Sequence, residues 1–276
     1  MCIPESLSQN TSSFFSAAYA ICSAVSSAAA AIWLLLASII QKIQVVAAPL
    51  FTPPGVAMNG SVGIKPFSSH VRMLFVNGVN TTRDSCRRVA YSISNIFNGC
   101  LVHYTYIPLR YDQVIRTIMV GHRPSGCDLL LANIRARLHE LAATDLPHSD
   151  SDRRVSLASH RAIEQHPRLV IFAHSGGGAM LEAIREELTP EERTQIDVYS
   201  FGSAHLFSPE EGFETVKNAV AGGDPVPTIC RLMDRRITPL GEAWDIGPRR
   251  IFDIGTHSIL NDIYQLAMWH IRENYV

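Results

Sequence analysis

The stretch that most constrains this chain is residues 168–184, RLVIFAHSGGGAMLEAI. A four-residue apolar run, a corner of small residues and then apolar residues at helical spacing predict a strand, a tight turn and a helix. Ser175 sits at the corner, in Ala173-His174-Ser175-Gly176-Gly177. The pattern is close to G-x-S-x-G, the nucleophile elbow, in which a serine occupies a strained turn and its neighbours must be small because strand and helix backbones pass close together. Ala173 replaces the first glycine, a change of one methyl group.

Two blander readings compete. A glycine-rich turn between strand and helix also describes a phosphate cradle, but here neither G-x-G-x-x-G nor G-x-x-x-x-G-K-[ST] can be fitted. A turn with no chemistry is the other alternative. The elbow accounts best for a serine directly before three glycines.

Elsewhere the chain alternates strands and helices. Residues 70–77, HVRMLFVN, form a compact apolar strand ending in a Gly78-Val79-Asn80-Thr81-Thr82 turn. Residues 81–97 carry Val89, Ile93 and Ile96 on one helical face, with a threonine cap at the start. Residues 101–107 read as a strand, and 108–125 as a loop or short helices. Residues 127–143 give the clearest amphipathic helix, with Leu130, Ile134, Leu138 and Leu141 aligned. A polar stretch over 144–154 reads as loop and 155–165 as a further helix. After the elbow helix come a strand over 195–203, an apolar alternation over 214–223 that ends in Gly222-Gly223-Asp224-Pro225, a short strand over 249–254 and a terminal helix over 258–271. Such repetition predicts an α/β fold, a mainly parallel sheet with helices on both faces.

The N-terminal part is different in kind. No charged residue occurs between Glu5 and Lys42, and residues 17–40 are long enough to cross a bilayer core, for which about twenty helical residues suffice. A secretory leader would carry basic residues at its start, and a buried helix would show a polar face; neither is present. The expectation is a membrane segment over 1–47, a Pro/Gly/Ser-rich linker over 48–69, and a globular domain over 70–276. A formal net charge of −1, from 24 basic and 25 acidic residues, gives no footprint for nucleic acid. The six cysteines are scattered without C-x-x-C or ligand spacing, so no metal, cofactor or disulfide framework is expected.

A serine nucleophile needs a base and an acid that orients the base. Asp224 suits the acid, in a turn after a strand, and His257 the base, directly after the strand over 249–254. Each could be an ordinary turn or capping residue. Asp197, Asp245 and Asp253 rival the acid, and His205 and His270 the base; His174 is too close to the serine to serve. The oxyanion donors are expected to be the Gly176 amide and one from residues 78–80, with Val79 favoured.

FAHSGGGA, VYSFGSA, GGDPVP and THS together resemble the class 3 lipases and related α/β hydrolases, over residues 70–275. The apolar N-terminal segment with FVNG and HSGG is also similar to a chlamydial family of predicted membrane proteins. The first resemblance implies an α/β-hydrolase-like fold and a triad of Ser175, Asp224 and His257. It departs at Ala173, at Gly176, where a larger residue is usual, and in having no evident lid segment. The function expected is a membrane-anchored serine esterase taking a small ester or lipid substrate. The alternative is a catalytically inactive hydrolase-like protein that acts by protein interaction.

Overall fold

The computed structural model of the chain describes residues 56–144, 166–221, 224, 226–227, 243–246, 258–260 and 262–275. Among the described residues seven strands form one sheet: β1 (Met58–Val62), β2 (Val71–Val76), β3 (Val102–Tyr106), β4 (Arg168–His174), β5 (Ile196–Phe201), β6 (Thr215–Ala221) and β7 (Ala243–Ile246). Their order is β1-β3-β2-β4-β5-β6-β7, and every pairing is parallel except β1 with β3. The stretch expected as a linker therefore contributes an edge strand, with Met58 opposite Tyr106 and Val62 opposite Val102. Its alternating exposure, with Met58, Gly60 and Val62 turned inward, suits an edge covered on one face.

The described residues include the helices α1 (Arg83–Ile96), α2 (Tyr111–Val120), α3 (Cys127–Thr144), α4 (Gly176–Ile184), the short α5 (Pro190–Arg193) and α6 (Asp262–Glu273). In α1 the expected face is buried at Val89, Ile93 and Ile96, and Thr82 caps the helix by accepting from the Ser85 amide at 3.2 Å. The segment over 108–125 is more regular than its composition suggested. Gln113 accepts from the Arg110 amide to start α2, and Gly121, at φ 65°, ends it in the left-handed conformation.

Side chains along each central strand alternate between two apolar layers. Met73 and Phe75 join α1 and α6 on one face, while Leu74 and Val76 join α2, α3 and α4 on the other. Because both faces are covered, β2 and β5 are buried along their whole length, and β2 reads as a nearly continuous apolar run. Even Arg72 is 9 % exposed, its guanidinium donating to the carbonyls of Ser68, Ser69 and Val71.

Several expectations fall on other residues. The apolar stretch 17–40, the loop over 144–154 apart from Thr144, the helix over 155–165 and the strand over 249–254 lie outside the described residues. Among the described residues no helix is long and apolar enough to cross a membrane.

Candidate active site

Strand order locates the site before any side chain is considered. From β2 the chain crosses to β3 on one side, then returns past β2 to place β4 on the other. The carboxyl ends of β2 and β4 thus flank a switch point, where open parallel sheets leave a crevice between diverging loops. Gly78 follows β2 and Ser175 follows β4, so the two loops that meet there are the ones singled out by the sequence.

Ser175 has φ 52° and ψ −123°, a conformation that costs a residue with a side chain about 1–3 kcal/mol and persists only where its surroundings enforce it. Those surroundings are specific. The Ser175 amide donates to the Phe201 carbonyl at 3.1 Å, and the Ser175 carbonyl accepts from the amides of Ala204 (2.9 Å) and Gly178 (3.2 Å). Although Ser175 precedes α4 at the cap position, its side chain makes no capping bond to the helix. That removes the commonest structural reason for a serine there.

Each of the three glycines faces a different neighbour. A methyl group at Gly176 would sit 2.9 Å from both Val79 Cγ2 and Val114 Cγ2, and 3.3 Å from Leu109 Cδ1. One at Gly177 would lie 2.6 Å from the Val76 carbonyl oxygen, and one at Gly178 would collide with Ser203 Oγ. The first turn of α4 therefore threads between the loops after β2 and β5 with room for hydrogen only. At Gly176 the space that a side chain would need is filled by Val79, Leu109 and Val114.

The loop carrying Val79 is fixed by a residue that the sequence did not single out. Asn77 is fully buried; its Nδ2 donates to the carbonyls of Gly78 (2.7 Å) and Ile107 (2.8 Å), and its Oδ1 accepts from the Ile107 amide at 2.7 Å. Asn80, with φ 53°, completes the bend and donates from its amide to the Leu109 carbonyl. Val79 and Gly176 are thereby brought next to each other beside Ser175. An equivalent device holds the loop after β5: Asn218 Oδ1 accepts from Ser200 Oγ and the Phe207 amide, and its Nδ2 donates to the Phe207 carbonyl. Buried asparagines read from sequence as turn formers, which is why neither stood out.

Asp224 lies just past β6, two strands from β4, and is 1 % exposed. Its Oδ1 accepts from the Val226 amide at 2.9 Å, the local bond of a turn aspartate, and its Oδ2 accepts from the Tyr264 hydroxyl at 2.6 Å. The second bond is not local. It comes from α6, and Tyr264 is itself fully buried, with its phenol pushed up from the usual tyrosine range by burial and by the Asp224 charge. No sequence signal marked Tyr264, which sits in an otherwise ordinary amphipathic helix.

His257 lies outside the described residues. Among the rival acids, Asp197 is the second residue of β5, near the end of the sheet opposite Ser175, and accepts from Tyr275 at 2.7 Å. Asp245 lies within β7, and Asp253 is outside the described residues. Of the rival bases, His270 is exposed on α6, 3.3 Å from Glu273. His205 is buried, with Nε2 2.9 Å from Glu211 Oε1 and 3.6 Å from Glu182 Oε2. Among the described residues this trio alone has the donor types and spacing of a cation site; Arg185, 2.8 Å from Glu182, already brings a positive charge to it.

The described arrangement is a strained serine at a strand-to-helix corner, at the switch point of a mainly parallel α/β sheet, with a buried aspartate, hydrogen-bonded from its own turn and from α6, two strands away. No protein-family model matches the chain, and no curated protein matches it in sequence.

Proposed function

We propose that the chain is a serine hydrolase of the α/β-hydrolase type that cleaves a carboxylic ester, tethered to a membrane through the apolar stretch 17–40. The observation that carries this reading is the backbone of Ser175, held at positive φ by three backbone hydrogen bonds with its hydroxyl unused for capping. Strand–turn–helix is the context that a nucleophile elbow requires.

In this mechanism Ser175 Oγ attacks the ester carbonyl while His257 takes its proton, and Asp224 holds the imidazole in the required tautomer. Adjacent strands lie roughly 4.8 Å apart, so β4 and β6 are separated by roughly 10 Å. An imidazole with a hydrogen bond at each nitrogen spans on the order of 8 Å, which suits a base inserted between Ser175 and Asp224. The amides of Gly176 and Val79 would receive the developing oxyanion, Gly176 at a helix N-terminus whose dipole favours negative charge. The alkoxide leaves with the proton held by His257, and water then releases the acyl group by the same path in reverse. Val79, Leu109 and Val114 around Gly176 supply an apolar wall on that side. Together with the 17–40 stretch, it favours a substrate with a hydrocarbon acyl chain.

Turnover of p-nitrophenyl esters by the full chain tests the reading. Asp224→Asn and His257→Ala should each lower kcat by about 10³-fold or more with the fold retained. Undiminished turnover in either variant would contradict the assignment.

A further inference from the structure

We propose that Tyr264 is a positioning residue for the catalytic acid, so that the C-terminal helix holds the triad in register. This rests on the hydrolase reading above and adds to it a part that neither the motif nor the order of the triad contains.

The direction of the Tyr264–Asp224 bond follows from counting protons. The Tyr264 oxygen lies 3.3 Å from the Ala221 amide and 2.6 Å from Asp224 Oδ2. An amide can only donate, so the phenol oxygen accepts there, and its single proton points to the carboxylate. Asp224 is then held at both oxygens by donors on different elements, Val226 in its own turn and Tyr264 on α6. Two donors on different elements block rotation about the Cβ–Cγ bond, and the carboxylate's roughly four lone-pair directions accommodate further donors as well. The bonds also offset the cost of burying a charge at a position 1 % exposed.

Tyr264 is itself held in place. Its ring meets Phe201, the last residue of β5, edge-on at 5.8 Å, and α6 packs into the same layer through Ala267, Met268 and Ile271. The residue that lends its carbonyl to the Ser175 amide is also Phe201. One aromatic side chain and its backbone thus connect the nucleophile's corner with the support of the acid.

The test is Tyr264→Phe in the full chain, alone and combined with Asp224→Asn, read through kcat and KM on p-nitrophenyl butyrate and through thermal unfolding. Loss of a hydrogen bond to a charged group predicts a fall in kcat of about tenfold to a hundredfold, with KM within about twofold of wild type. In the double variant kcat should match that of Asp224→Asn alone, because Tyr264 acts only through that carboxylate. Tyr264→Met, close in volume and also lacking a donor, gives the same reading if the Phe variant does not fold. An unchanged kcat, or losses that multiply in the double variant, would overturn the inference while leaving the hydrolase reading intact. Wild-type protein that turns over no ester would overturn both.

Discussion

Gly78 stands directly against Ser175: a methyl group on Gly78 would lie 2.6 Å from Ser175 Cβ and 2.9 Å from His174 Nδ1. The loop after β2 and the corner after β4 are therefore in backbone contact across the switch point. On the proposed hydrolase reading, this loop carries the Val79 amide as the second oxyanion donor; whatever the chemistry, the close approach makes Gly78 a structural requirement.

Gly177→Ala is expected to destabilise the fold, since the added methyl would meet the backbone oxygens of Val76 at 2.6 Å and Asn77 at 2.8 Å, neither of which can swing aside. Overpacking of this kind costs about 1–3 kcal/mol. For a domain of this size that lowers Tm by roughly 3–10 °C, measurable by circular dichroism. An unchanged Tm would mean that α4 enters the crevice less tightly than described.

Asn77→Leu should be costlier than its buried volume alone implies. It strips partners from the Ile107 amide and from two carbonyls, and each buried group left unsatisfied costs about 1–3 kcal/mol. Chemical denaturation should show a large drop in midpoint. Below the transition, the remaining folded protein should hydrolyse esters more slowly because the Val79 amide is no longer held.

His103 provides a pH dependence that is independent of catalysis. Burial first, and then the charges of Arg137 and Arg72, push its imidazole down to about 4. Arg137 Nη1 lies 2.9 Å from its Nε2. The unfolded chain therefore binds a proton near pH 6.5 that the folded chain refuses until about 4, so stability is full above pH 6.5 and falls as the pH drops toward 4. Partial exposure of the ring screens the effect. Proton NMR should place the native titration of His103 near 4, and His103→Gln should flatten the loss of stability across this window; a native midpoint near 6.5 would contradict the assignment.

Much of the scaffold was legible in the sequence because periodicity and burial agree there. The apolar runs that became β2 and β4, and the strand β5, are buried on both faces, and the leucines and isoleucine aligned along 127–143 all face the core. The edge strand β1 was hidden in a stretch of prolines, glycines and serines, since an edge needs only one apolar face and Gly60 and Val62 satisfy it with little hydrophobic signal. At the site, Ser175 and the glycines could be found because a strained corner restricts composition. Asn77, Asn218 and Tyr264 could not, because their roles depend on partners 30, 11 and 40 residues away, and polar residues inside a fold carry no periodic signature. The three described cysteines, Cys86, Cys100 and Cys127, are buried free thiols pushed up to about 11 or 12 by burial.

The most direct measurement is mass spectrometry of the intact full-length protein after exposure to a fluorophosphonate. One adduct per chain, mapped to the peptide containing Ser175 and absent from a folded Ser175→Ala variant, is the predicted result. Folded wild-type protein that gains no mass, or an adduct that persists in Ser175→Ala, would contradict the claim that the strained corner presents an activated nucleophile.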